Sequence, residues 1–327
     1  MRRRDVLQVI AGAITTVPYA VAAQTAGKTF RIGTLTVGPP IPPAEGTGKM
    51  LVDGLAKHGF NLGQNLAYEA RGAAGKVGQM PNLMQELKAA NVDVVVTVGY
   101  PSAAAAKASG VATVIATGSG DPVVTGLVES FAHPGGNVTG IADDAAALST
   151  KRLGLLKAAS PQLRRVAMLW NKDDLGMTQR YDASAKAAQE LGVMVQPLGV
   201  REPNDFNEAF ATMDREPPDA ILMVTDALTL LNRERVFEYA LQHRLPAIFE
   251  QDFMARAGGL MSYGADARES FGRAAALAAR IFQGAKPADL PVEIPTHYLF
   301  VINMKTAKAM NFTMPNNVLS LADEVVE

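Results

Sequence analysis

Cysteine is absent from all 327 residues, tryptophan occurs once and histidine only four times. Without thiols the chain has no disulfides, no thiolate nucleophile and no cysteine-based metal site, and it lacks the attachment point of bacterial lipid anchors. None of the histidines (His58, His133, His243 and His297) has a second histidine or a carboxylate at metal-ligand spacing. Neither sign of charge dominates. With 31 basic and 32 acidic residues and a formal net charge of −1, there is no basic excess to neutralise phosphates, and a nucleic-acid partner is not expected. Beyond the first residues, no run of roughly 20 apolar residues is available to span a membrane. The nucleophile elbow G-x-S-x-G is missing as well. So is a glycine-rich phosphate loop. The first strand is followed by Thr36-Val37-Gly38-Pro39-Pro40-Ile41-Pro42-Pro43, whose prolines withhold the backbone N–H groups a pyrophosphate would use. That weighs against the alternative of a nucleotide-dependent enzyme on a doubly wound fold. No catalytic residue, metal or cofactor is expected.

What is present is regular alternation. Arg2-Arg3-Arg4, a weakly apolar stretch and the small residues Ala20-Val21-Ala22-Ala23 read as an export signal over 1–23, of the twin-arginine type or an ordinary secretory one. After it, β-like and helix-like segments follow each other. FRIGTLT (30–36), LAYEAR (66–71), VDVVVTVG (92–99) and VATVIAT (111–117) are extended, with helical patterns between them. The same order restarts at RRVAMLWN (164–171), passes through VMVQPLG (193–199) and reaches PDAILMVTD (218–226). VDVVVTVG and PDAILMVTD lie about 130 residues apart, far beyond solenoid spacing. The pattern predicts an α/β chain of two doubly wound parallel-sheet lobes built from βαβ units. In the tail, 266–284 is one amphipathic helix, YLFVIN is extended, and MKTAKAMNF and VLSLADEVV are short helical ends completing the two domains.

GLVESFAHPGGNVTG (126–140) lies where the first set of units gives way to the second. Its paired glycines lead into β-like Asn137-Val138-Thr139-Gly140, not into a helix start, and no lysine follows. The segment therefore reads as a turn carrying the chain between domains, with His133 a turn residue.

In open α/β sheets, ligands bind beyond the carboxyl ends of the strands. The polar residues there are Thr36, Tyr100 with Ser102, and Ser119 with Asp121 in the first half. The second half offers Asn171 with Asp173, Asp226 after Thr225, and Glu250. Ser102 stands at a helix start containing Pro101, where free N–H groups and its hydroxyl suit a carboxylate, or where it simply caps the helix. Asp226 is placed either to receive an ammonium group or to cap the next helix. Trp170 closes a strand, as core packing or as a ligand contact.

Three blocks, DPVVTGLVESFAHPGGNVTGI, KRLGLLKAASPQLRRVAMLWN and PVEIPTHYLFVINMKTAKAMNFTMPNNVLSLADEVV, resemble the family of ABC-transporter substrate-binding proteins that includes tryptophan- and tyrosine-binding members. The likeness covers essentially the whole chain after the leader. It implies a periplasmic-binding-protein fold of the first type, with lobes 28–140 plus 265–296 and 141–264 plus 297–327 joined by three crossover segments. The resemblance further implies a cleft lined by the residues above together with Tyr263, a small-molecule solute as ligand, an ABC permease of the inner membrane as partner, a monomeric state and a periplasmic location. A sensor presenting the same solute to a receptor is the other role such a clamp would serve. For an amino-acid ligand, the Ser102 helix would take the carboxylate and Asp226 or Glu250 the ammonium. Tyr100, Phe249 and Phe253 would add an aromatic wall.

Overall fold

A computed structural model describes residues 27–142 and 144–327; the expected export signal over 1–23 lies outside the described residues. The first sheet holds β1 (Phe30–Thr36), β2 (Leu66–Gly72), β3 (Val94–Val98), β4 (Thr113–Thr117) and β5 (Val138–Gly140), in the order β2-β1-β3-β4-β5 with every pairing parallel. Helices α1 (Gly46–Ala56), α2 (Met80–Ala89) and α3 (Tyr100–Ser109) connect its first four strands. Strand β3 reads Val-Val-Val-Thr-Val because both of its faces are covered by helices, and its first four residues are buried.

The turn Pro134-Gly135-Gly136 leads into the β-like run Asn137-Val138-Thr139-Gly140. It delivers β5, the fifth strand of the first sheet, and the crossing follows. Gly140 sits at φ 140°, and a β-carbon there would lie 2.3 Å from the Ile115 carbonyl oxygen, so only glycine lets β5 lie against β4.

The second sheet begins after α4 (Ala145–Ala159). It contains β6 (Arg165–Asn171), β7 (Met194–Val200), β8 (Ala220–Met223), β9 (Ala247–Phe249), β10 (Met261–Ala265), β11 (Tyr298–Asn303) and β12 (Glu324–Val326). Their order is β12-β11-β10-β9-β8-β6-β7, and β10 with β11 is the antiparallel pair. Helices α5 (Leu175–Glu190), α6 (Asp205–Arg215), α7 (Ala227–Leu231), α8 (Arg233–Gln242) and α9 (Asp252–Arg256) link the strands up to β10. Near the C-terminus α11 (Met304–Ala309) and α12 (Asn316–Leu319) follow β11. The segment VLSLADEVV, expected to be helical, ends instead as the edge strand β12. Asp323 accepts the Phe300 amide on its side chain and donates its own amide to the Phe300 carbonyl, pinning Glu324–Val326 alongside β11.

Helix α10 (Ala267–Phe282) follows β10 but packs on the other lobe. Its Phe271, Ala274, Ala278 and Phe282 share a core with Phe30, Ile32, Leu51 and Leu55. The chain thus crosses three times, after β5, between β10 and α10, and before β11. The crossings are tied to one another: the Ala142 amide donates to the Glu293 carbonyl, the Glu293 amide to that of Gly140, and the Asp266 amide to that of His297. Glu269, in the first turn of α10, accepts both the Thr296 and His297 amides and the Thr296 hydroxyl.

Candidate functional site

Between the two sheets lies a cavity of about 320 Å³, within the range of small-molecule sites. Its walls are the carboxyl ends of β1, β3, β4, β6, β8 and β9 and the helix starts that follow them. The first lobe and the start of α10 contribute apolar side chains such as Val37, Ile41, Val98 and Phe271, with the hydroxyls of Thr36, Thr47, Thr117 and Ser270. The second lobe supplies every charged group in the lining: Arg152, Asp174, Arg180, Asp226 and Glu250.

Three of these charges form one buried unit. The Glu250 carboxylate, 2% exposed, accepts from Arg152 Nη1 at 2.8 Å, from Arg180 Nη1 at 2.6 Å and from the Thr225 amide at 3.0 Å. Burial disfavours its charge, but the two guanidiniums and the amide outweigh that and hold the carboxyl below its ordinary range. Arg152 also donates Nε to the Tyr263 carbonyl, joining α4 to β10.

The other two acids behave differently. Asp174 caps α5, accepting the Met177 amide at 3.2 Å, and is 4% exposed. Burial, reinforced by the nearby negative charge of Asp226, raises its pKa to about 6 against the pull of the helix amides and Arg180. Asp226 forms a capping box with Thr229 at the start of α7, and its other oxygen accepts Asn171 Nδ2 at 2.6 Å. All of these donors are neutral.

Of the ten residues proposed from sequence, Thr36, Asn171, Asp226 and Glu250 line the cavity. The remaining six lie off its lining. Ser102 is fully buried and donates to the carbonyl of Val98, the last residue of β3, four positions earlier. Tyr100 packs on the cluster that includes Leu127 and Val128. Ser119 is buried with its hydroxyl on the Gly120 carbonyl, and Asp121 closes its own loop by accepting the Val123 and Val124 amides. Asp173 pairs with Arg201 in solvent, and Tyr263 packs against Tyr298 and Phe300. Of the three aromatic residues expected, Phe253 lines the cavity along with Phe271, and Phe249 is buried edge-on to Phe237. Trp170 is core: it stacks on Tyr181 with ring centroids 3.7 Å apart.

The lobes touch on both sides of the cavity. Gly120 meets Gly176 at the start of α5, and the Asp121 amide donates to Gln179 Oε1 at 3.1 Å. Across the cavity, Gly75 lies against Leu231 and Ala227 packs on the cluster of Leu35 and Val37. This is a shut clamp.

The profile of the ABC transporter substrate binding proteins matches residues 44–326. The chain belongs to that family. Its members are substrate-binding proteins, not enzymes. Among relatives of this substrate-binding protein, the tyrosine-binding protein of Clostridioides difficile (strain R20291) is 25% identical over 285 residues, covering 87% of this chain and 81% of the relative. The crystal structure of the ABC domain in complex with L-Trp from Streptococcus pneumonia superposes with a TM-score of 0.84 at 24% identity, over 91% of this chain and 100% of that one. Against the ligand-free, open structure of a substrate binding protein with adhesive properties from Clostridium difficile, the TM-score is 0.66 at 23% identity, over 91% of this chain and 99% of the other. These neighbours share the type I periplasmic-binding-protein fold.

Sequence reading missed Arg152, Asp174 and Arg180. A signal for the arginines was there. Leu148, Arg152, Leu155 and Ala159 fall on one helix face, as do Met177, Arg180, Ser184 and Ala187, so each arginine occupies a core-facing position. Charged residues at such positions require a buried partner.

Proposed function

We propose that this chain is the exported solute receptor of an ABC importer, a monomer that shuts over an amino acid and hands it unchanged to an inner-membrane permease. The observation that carries the reading is a cavity of about 320 Å³ between two touching lobes, one wall of apolar side chains with hydroxyls and the other charged. A zwitterion with an apolar side chain matches both walls. The names of the tyrosine-binding relative and the L-Trp complex support an aromatic side chain. Of the described helices, none is long and apolar enough to cross a membrane, which suits a receptor working beside its permease.

Closure removes ligand and polar groups from water together, which strengthens each contact. A ligand present at about 100 times its Kd stabilises the closed form by about 2.7 kcal/mol. The test is native purification followed by mass spectrometry of what co-purifies, with melting and small-angle scattering across a panel of amino acids. A raised melting temperature and a more compact particle with an aromatic or branched member are expected. A protein that carries nothing and is indifferent to the whole panel, or that returns its ligand chemically changed, overturns the reading.

A further inference from the structure

The charge in the cavity is lopsided in a way the fold does not require. Within the described lining, Arg152 and Arg180 against Glu250 leave one positive charge, while Asp174 and Asp226 bring two negative ones. When both acids are ionised, the net is one negative charge on this wall. Both arginines are committed to Glu250, whereas neither Asp174 nor Asp226 is in an ion pair among the described residues; their donors are the Met177 and Thr229 amides, the Thr229 hydroxyl and the Asn171 side chain. Arg180 draws the Asp174 pKa down but does not outweigh burial and Asp226, which raise it.

A second observation falls at the same place. Thr225 immediately precedes Asp226, lines the cavity and is 9% exposed. Its amide is taken by Glu250, but its buried hydroxyl has no hydrogen-bond partner. An unmade hydrogen bond of this kind is destabilising unless something in the cavity completes it. In the described lining the first lobe and the start of α10 offer Val37, Ile41, Val98 and Phe271, with the hydroxyls of Thr36, Thr47, Thr117 and Ser270, and no charged side chain.

We propose that the second lobe recognises its guest by a protonated amine, held by Asp174 and Asp226 and hydrogen-bonded to the Thr225 hydroxyl, while the first lobe covers an apolar body. This rests on the clamp reading above and narrows it: the amine, and not a carboxylate, is the obligatory part of the ligand. Two carboxylates that repel each other in a buried site are relieved by one cation between them, so the ammonium gains from both. A carboxylate brought there without an amine would meet the same two charges and be refused.

The experiment uses the full chain and two matched series: L-tryptophan, tryptamine and indole propionate, then L-tyrosine, tyramine and the corresponding phenolic propionate. Calorimetry at pH 8 should show the amino acid and the bare amine binding, and the deaminated acid at least about tenfold weaker. Asp174→Asn keeps a capping oxygen for α5, so its fold holds and its ligand-free melting does not fall. It should lose at least about tenfold in affinity for the amines at pH 8 and much less at pH 5, where Asp174 of the native protein is already protonated. The charged groups acting on Asp174 are Asp226 and Arg180, with Glu250 and Arg152 elsewhere in the same lining. A deaminated acid that binds as well as its amine, or an unchanged amine affinity in Asp174→Asn, overturns the proposal. A co-purified ligand without an amine overturns it too but leaves the clamp standing. If no small molecule shuts the lobes, both readings fall.

Discussion

Glu269 joins two of the three crossings, and its removal should be felt in a pH-dependent way. Its carboxylate receives the Thr296 hydroxyl at 2.7 Å, the His297 amide at 2.8 Å and the Thr296 amide at 3.0 Å, with Arg273 Nε at 3.2 Å. The side chain is 13% exposed. Burial works against the charge, but the donors from Thr296 and His297 outweigh it and bring the pKa from 4.5 down to about 2. A drop of that size corresponds to about 3 kcal/mol of folding free energy. Because the folded-state value is depressed, this contribution is complete above about pH 4.5 and is lost as the pH falls through about 2. Glu269→Gln keeps the shape and one acceptor but discards the charge. Urea unfolding should place the variant up to about 3 kcal/mol below the native protein at pH 7, with the gap shrinking below pH 4.5 and nearly gone at pH 2. A gap of the same size at pH 7 and pH 2 would refute the reasoning, as would no gap at pH 7.

Three further outcomes are expected. A β-carbon on Gly176 would lie 2.8 Å from the Ser119 carbonyl oxygen, so Gly176→Val should hold the clamp open: scattering would show an expanded particle that added ligand no longer compacts, and full compaction would disprove the contact. Ser102→Ala removes a hydroxyl bonded to the Val98 carbonyl, which predicts a stability loss of about 1 kcal/mol with ligand affinity unchanged; a tenfold affinity loss would return the hydroxyl to the site. The Asp174 carboxyl is raised to about 6, so its ionisation costs the folded state on the order of 3 kcal/mol, incurred as pH rises from about 4 to about 6. Without ligand, Asp174→Asn should therefore be more stable than the native protein at pH 8 and no more stable at pH 4, and a variant less stable at pH 8 would contradict this.

The sheets were legible because their signal is local. FRIGTLT and RRVAMLWN are apolar runs of strand length, bounded by turn residues, and both form the strands expected of them. The chain's end was not legible, for an equally physical reason. VLSLADEVV carries a helix-like apolar spacing, but Glu324–Val326 is fixed by Asp323 pairing with Phe300, a partner 23 residues earlier. A glycine turn announces that the chain bends, not what it bends toward, and the contact of Gly140 with Ile115 shows that β-like 138–140 pairs as the fifth strand of the first sheet.

In the site, strand ends identified the place but not the side chains. Asn171, Asp226 and Glu250 were found because a strand's carboxyl end lies near the cleft whatever its sequence. Ser102 was chosen by the same rule and lies off the lining, because its hydroxyl is satisfied by the Val98 carbonyl four positions earlier. Glu250 reached the cavity in a different role from the one assigned. An ammonium acceptor must have capacity to spare, and this carboxylate already holds two guanidiniums and an amide. The residues that engage it, Arg152 and Arg180, come from helices 98 and 70 residues away in sequence. Breaking such a buried group by deleting one member costs about 3–5 kcal/mol, so all three must be present together. Each looks ordinary in its own segment: an arginine in a helix with lysines, an arginine beside a tyrosine, an acid after a strand. Their meaning comes from the phase of two helices and the end of one strand meeting under the cavity. That meeting also leaves Asp174 and Asp226 as the acids with charge still to be answered by a ligand.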